Sequence, residues 1–235
     1  MKILALDSSG IVASAALLEN DDLLAEYTVN YKKTHSQTLL PMVDELAKMT
    51  ELDMDSIDAI AVAAGPGSFT GLRIGSATAK GLGLALNRPV VSVPTLEALA
   101  YNLFDVRGIV CPIMDARRRQ TYTGIYRYEE HRLITVEDQM AVSVETLLEK
   151  LNSIGEPVTF LGDGVPVFEQ IIREKLTVPY AFAPAHMNKQ KASAVGALGM
   201  LYYNEGKYES AADHRPDYLR ASQAEREREE KVKQE

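Results

Sequence analysis

KILALD, residues 2–7, and GIVCPIMD, residues 108–115, decide the reading of this chain. Each is a short apolar run that stops on an aspartate, the pattern of a buried strand. The same succession of elements comes after both runs. After Asp7, IVASAALLEN (11–20) and LLAEYTVN (23–30) flank the turn cluster Asn20-Asp21-Asp22, which predicts a hairpin. SQTLLPMVDELAKMTEL (36–52) then sets Leu39, Val43, Leu46 and Ala47 on one helical face and the pair Asp44 and Lys48 on another, with Pro41 expected in the first turns. IDAIAVAAG (57–65) reads as a buried strand, followed by a glycine-rich helix, the strand PVVSV (89–93) and the helix TLEALAYNLF (95–104). After Asp115, QTYTGIYRY (120–128) turns at Glu129-Glu130-His131 into RLITVED (132–138). A helix around SVETLLEKL, the strand PVTFLG, a turn at Gly162-Asp163-Gly164 and the helix PVFEQIIREKL complete the second half.

The two halves differ in sequence but not in order, and from aspartate to glycine turn they span 58 residues (Asp7 to Gly65) and 47 (Asp115 to Gly162). Repeated architecture predicts two similar lobes facing each other. The expected class is α/β: duplicated βββαβα lobes of the actin-like, sugar-kinase and heat-shock ATPase (ribonuclease H-like) superfold, in which ATP lies between the lobes. The expected division is 1–105 and 106–220, followed by a charged tail, 221–235, reading ASQAEREREEKVKQE. Fold alone does not give function, which has to come from sites.

Composition narrows the classes. Hydrophobic residues make up 46%, ample for a core. Twenty-five basic against thirty-three acidic residues give a net charge of −8, which opposes unaided binding to nucleic-acid phosphates. The single cysteine, Cys111, excludes an internal disulfide, Asp7 interrupts any signal-peptide core, and no apolar run is long enough for a membrane span. A cytoplasmic protein is expected.

GPGSFTGLRIGSATAKGLGLALN, residues 65–87, superficially suggests a phosphate-binding loop. Neither usual glycine spacing is present: Thr70 stands where GxGxxG needs its third glycine, and no Gly-Lys-Ser/Thr occurs. At helical spacing, however, Gly67, Gly71, Gly75, Ala79 and Gly83 form one bare face. Glycine in a helix costs about 0.8–1 kcal/mol against alanine, so close approach of another helix or of a strand is expected there. Asp7-Ser8-Ser9-Gly10 is small and hydroxylic enough to contact a nucleotide. Its counterpart, Asp115-Ala116-Arg117-Arg118-Arg119, puts bulky cations where a phosphate clamp needs small residues, leaving Arg117 as a candidate electrostatic contact. The histidines, His35, His131, His186 and His214, have no metal-ligand spacing, so no metal site is expected. No GxSxG elbow occurs and no serine has a histidine and an acid at the spacing of a known triad.

ILALDSS, THSQTLLP, GPGSFTGLRIG, AKGLGLALNRPVVSVPTLEALA, MDARRRQTY, LGDG and RPDYLR resemble the bacterial TsaB family, in order, across about residues 2–220. Ser8 and Arg119 depart mildly from the family pattern. The resemblance implies a catalytically inactive relative of TsaD, the enzyme that transfers threonylcarbamoyl to adenosine 37 of tRNAs reading ANN codons. It implies a heterodimer with a TsaD-like catalytic paralogue, a TsaE-like ATPase joining them, and tRNA reached only through the complex; for the free chain, homodimer and monomer both stay open. No cofactor of its own is expected, ATP or ADP belonging to the complex interface. Gly71, Gly75, Ala79 and Gly83, with Val43 and Leu46 of the preceding helix, are the expected partner interface, and Gly75→Leu is expected to spare the fold while losing the partner. The competing readings are an active small-molecule kinase or ATPase of the same superfold, and a protease acting on its partner.

Overall fold

The computed structural model describes residues 1–31 and 35–219. In the first lobe β1 (Lys2–Asp7), β2 (Ala13–Glu19) and β3 (Asp22–Val29) form an antiparallel meander. Strands β4 (Ala59–Gly65) and β5 (Val90–Pro94) extend it in parallel, giving the order β3-β2-β1-β4-β5. The second lobe repeats this with β6 (Ile109–Asp115), β7 (Gln120–Glu129), β8 (Arg132–Ser143), β9 (Val158–Leu161) and β10 (Tyr180–Phe182), in the order β10-β9-β6-β7-β8. Counted from β6, the arrangement is that of the first lobe, and Asp7 and Asp115 end equivalent strands.

Strand β4 is apolar throughout, and β1 is apolar from Ile3 to Leu6, because both faces of their sheet are covered. On one face Leu4, Leu6, Ile60 and Val62 meet α1 (His35–Met49) and α2 (Phe69–Leu86). On the other, Ile3, Ala5 and Ala61 meet α6 (Ala192–Asn204) through Ala192, Val195 and Leu198. Pro41 lies in the second turn of α1, on the exposed side.

The second sheet packs Ile109, Cys111 and Ile113 against α4 (Val144–Ile154) and α5 (Val165–Lys175). Its opposite face, with Val110, Met114, Tyr126 and Leu161, receives Leu96, Leu99 and Leu103 from α3 (Thr95–Tyr101) and its continuation. This shared apolar layer joins the lobes.

The segment after β10 corrects the expected division of the chain. Helix α6 packs on the sheet of the first lobe, and the stretch beyond it runs back along that lobe, so 106–220 is not one unit with the second sheet. Beyond α6 the chain forms a strap: Glu209 and Val90 exchange backbone hydrogen bonds of 2.9 Å at the sheet edge, Ala211 enters the α1/α2 core, and the Asp217 N–H donates to the Ala64 carbonyl (2.7 Å). The expected charged tail lies outside the described residues.

Candidate functional site

The loop after β1 is sealed by its own lobe. Asp7, Ser8 and Ser9 are all buried. The Ser9 N–H and hydroxyl both donate to Asp7 Oδ1, at 2.8 and 2.7 Å, and the Ser8 hydroxyl donates to the Gly71 carbonyl at 2.8 Å. The Ser68 N–H, at the start of α2, donates to the Ser9 carbonyl (2.7 Å). Backbone donors that could have cradled an anion thus face the chain's own oxygens. Burial pushes the Asp7 carboxyl up to about 6, against the lowering effect of the Ser9 hydrogen bonds. His35 Nε2–H donates to the Gly10 carbonyl (2.8 Å), and Gly10 abuts Gln190 on the far side.

The bare face of α2 serves this closure. A Cβ on Gly71 would collide with the Ser8 carbonyl, one on Gly67 with the Ser9 carbonyl, and one on Gly75 would lie 2.6 Å from Ser8 Oγ. Ala79 is fully buried and Gly83 meets Ala211 of the strap. Val43 and Leu46 are core residues of the same lobe. The expected partner interface of Val43, Leu46, Gly71, Gly75, Ala79 and Gly83 is therefore corrected: these residues face inward. Spacing identifies a helix face but not what it meets, and here it meets a strand and a loop. The outward stripe of α2 is Arg73, Ala77, Gly81 and Leu84, in which Ala77 and Gly81 are small and four residues apart; on α1, Leu40 and Met49 are also exposed.

The equivalent loop of the second lobe is open. Arg117, Arg118 and Arg119 all have left-handed backbones, at φ 64°, 53° and 59°, a conformation that costs an L-residue about 1–2 kcal/mol. Asp115 accepts from the Arg117 N–H (2.8 Å) and pairs with its guanidinium (3.5 Å), and Arg119 pairs with Glu145 (2.9 Å), while the Arg117 side chain remains 88% exposed. Asp163 accepts from the Asp115 N–H (3.2 Å), and burial raises the Asp163 carboxyl above its ordinary range. A groove of about 630 Å³ opens between this loop and α5. The first-lobe loop and the Gly162–Gly164 turn abut one connecting segment: the Gly162 N–H donates to the Asn188 carbonyl, and Gln190 touches Gly10.

A nucleotide does not fit these loops. The first is filled by Ser8, Ser9 and α2, so Asp7, Ser8 and Ser9 offer no open surface; the second presents arginine side chains where a backbone cradle would be needed. Among the described residues, no cluster of acidic, histidine or cysteine side chains could hold a metal ion.

One serine, histidine and acid do converge, without the spacing of a known triad. Ser92 Oγ lies 2.9 Å from His214 Nδ1 and 2.7 Å from Glu209 Oε1, and Glu209 Oε1 is 2.9 Å from the same Nδ1. A hydrolytic triad needs serine on one ring nitrogen and the acid on the other. Here both share Nδ1, Nε2 is buried without a partner among the described residues, and His214 is buried. The cluster fastens the strap to β5, aided by Lys80 donating to the Ala212 and His214 carbonyls. At the end of the strap Tyr218 stacks on Phe69, centroids 4.4 Å apart, and accepts a hydrogen bond from Arg73 Nε (3.3 Å). RPDYL (215–219) and GPGSFTGLR (65–73), separate in sequence, thus meet in the structure.

Fold and site together define a two-lobed protein of the actin-like and sugar-kinase class whose first nucleotide loop is closed. A family model described as TsaD: tRNA N6-adenosine threonylcarbamoyltransferase matches residues 22–228. The chain is 37% identical over 228 residues to the tRNA threonylcarbamoyladenosine biosynthesis protein TsaB of Bacillus subtilis (strain 168), covering 96% of each. A crystal structure from Pseudomonas aeruginosa, described as an uncharacterized protein with similarity to peptidase YEAZ, superposes with a TM-score of 0.80 at 28% identity, over 93% of this chain and 99% of that one. The fold is shared with an inorganic polyphosphate/ATP-glucomannokinase from Arthrobacter sp. strain KM, at a TM-score of 0.50 and 13% identity over 87% of this chain and 99% of that one. The chain belongs to the TsaB family.

Proposed function

We propose that this chain is a non-catalytic subunit in the biosynthesis of threonylcarbamoyladenosine in tRNA, acting through a TsaD-like catalytic paralogue. The observation that carries the reading is the sealed loop after β1: a buried Asp7 bonded to Ser9 has no face for a metal or a phosphate. The net charge of −8 supports a role in which the partner holds the tRNA. The miswired Ser92, His214 and Glu209 cluster weighs against a peptidase.

The partner surface in this reading is the outward stripe of α2 with the exposed side of α1. Leu84 is 61% and Leu40 54% exposed, and a Cβ on Gly81 would touch nothing within 4 Å. Small outward residues admit a helix of the partner at the near end of the usual 8–10 Å separation. The free chain pairs with itself through the same stripe, and a TsaE-like ATPase joins the assembled pair, with ATP or ADP at the complex interface.

The test is reconstituted modification of tRNA with the TsaD-type and TsaE-type proteins. Wild type and Asp7→Asn support equal modification, whereas Ala77→Glu folds normally but loses the catalytic partner and the modification. Loss of activity in Asp7→Asn at normal complex formation contradicts the reading and favours the kinase alternative.

A further inference from the structure

We propose that the groove between the arginine loop and α5 docks an acidic, partly apolar segment of a partner protein. One wall is a face of α5 carrying Val167, Ile171 and Lys175 at four-residue spacing, with Val144 and Phe168 below. Val167 is 56% exposed, an apolar side chain left to solvent. The other wall is Arg117, Arg118 and Arg119. In a chain of net charge −8, these arginines and Lys175 gather positive charge at one place, offset by Asp115 and Glu174 along the groove and by Glu145, the partner of Arg119.

The chain itself uses little of this charge. Arg117 and Arg119 make exposed ion pairs, which contribute little. The side chains of Arg118 and Lys175 have no ion pair or hydrogen bond among the described residues. Three successive left-handed arginines are a strained arrangement, and such strain gathers at functional surfaces. A carboxylate met by a guanidinium fork gains paired, charge-assisted hydrogen bonds, while Val167 and Ile171 take apolar side chains between the acids.

The groove favours spaced carboxylates over a phosphate cluster. It runs along the flank of α5 from Val167 to Lys175, and at the helix N-terminus the Gly164 N–H is already given to the Ile113 carbonyl (3.0 Å). Asp115 and Glu174 repel a compact polyanion but can be bypassed by an extended chain.

The experiment is fluorescence anisotropy of the full chain with a labelled peptide alternating Glu and Leu, with its Gln-for-Glu counterpart, and with ATP as competitor. The Glu peptide binds saturably and more weakly as salt rises; the Gln peptide does not. Arg118→Glu, with unchanged melting temperature, weakens binding about tenfold or more, and Val167→Asp weakens it as well. Equal binding of both peptides, no effect of Arg118→Glu, or Arg118-dependent binding of ATP in place of the peptide overturns the proposal.

Discussion

The loops after β1 and after β6 occupy equivalent places in two lobes of one plan, yet one is sealed and the other open. The difference comes from what packs behind each. Behind Ser8 and Ser9 stands α2, whose glycines allow the backbone to close on the loop, and Asp7 is buried as a result. Behind Asp115 stands the Gly162–Gly164 turn, and the loop itself carries arginines that stay in solvent. Small residues in this fold do not by themselves mark a ligand cradle. They mark where backbone meets backbone, and the neighbour decides whether that backbone is the protein's own.

The contrast breaks most sharply at Gly71. Gly71→Val drives a side chain into the Ser8 carbonyl and should cost about 3 kcal/mol, the upper part of the overpacking range. Thermal melting should fall by about 6–12 °C. Arg118→Gly, on the open loop, should leave stability unchanged or raise it by about 1 kcal/mol, because φ of 53° suits glycine. Equal losses at both positions would erase the difference between the loops.

Asp7 gives the next effect. Its carboxyl is raised by burial from 3.8 to about 6, so the fold favours the protonated form. That contribution is fully present below about pH 4 and is lost as pH rises through about 6. Asp7→Asn should therefore stabilise the protein at pH 8 by up to about 3 kcal/mol, with the gain vanishing by pH 4, as read from denaturation at the two pH values. Asp115→Asn should change stability at pH 8 by less than about 1 kcal/mol, since its partner Arg117 is exposed.

Much of the fold was legible because both halves announce themselves by apolar runs ending in aspartate. The order of elements comes from periodicity as far as Lys175. The remainder was hidden for identifiable reasons. Strand β10 has only three residues. Helix α6 is ASAVGALGMLYYN, apolar nearly all round with glycines at its middle, and it lacks the one-sided stripe that marks a surface helix. The strap is held by pairings such as Ser92 with Glu209 and Phe69 with Tyr218, which no local pattern predicts. At the site, the small face of α2 was visible, but two such faces exist, and only the three-dimensional arrangement separates Gly71, Gly75 and Ala79, turned inward, from Ala77 and Gly81, turned outward. For the same reason Gly75→Leu, which spacing alone expects to spare the fold, should damage it, since it drives a side chain against Ser8 Oγ and Val62.

Two smaller effects sharpen the picture within the first lobe. Tyr218→Ala removes the stack on Phe69 and should cost about 1 kcal/mol, with faster hydrogen exchange at Asp217 if the strap loosens there. Gly81→Ala, on the outward side of the same helix, meets nothing and should stabilise the chain by up to about 1 kcal/mol. Opposite signs at Gly71 and Gly81 would show that the two faces of α2 do different jobs.

The central claim is that the first-lobe loop is closed to nucleotide, and steady-state hydrolysis of magnesium ATP by the purified chain tests it most directly. The account predicts that wild type and Asp7→Asn both turn over ATP no faster than buffer. Magnesium-dependent turnover by the wild type that Asp7→Asn abolishes would contradict it.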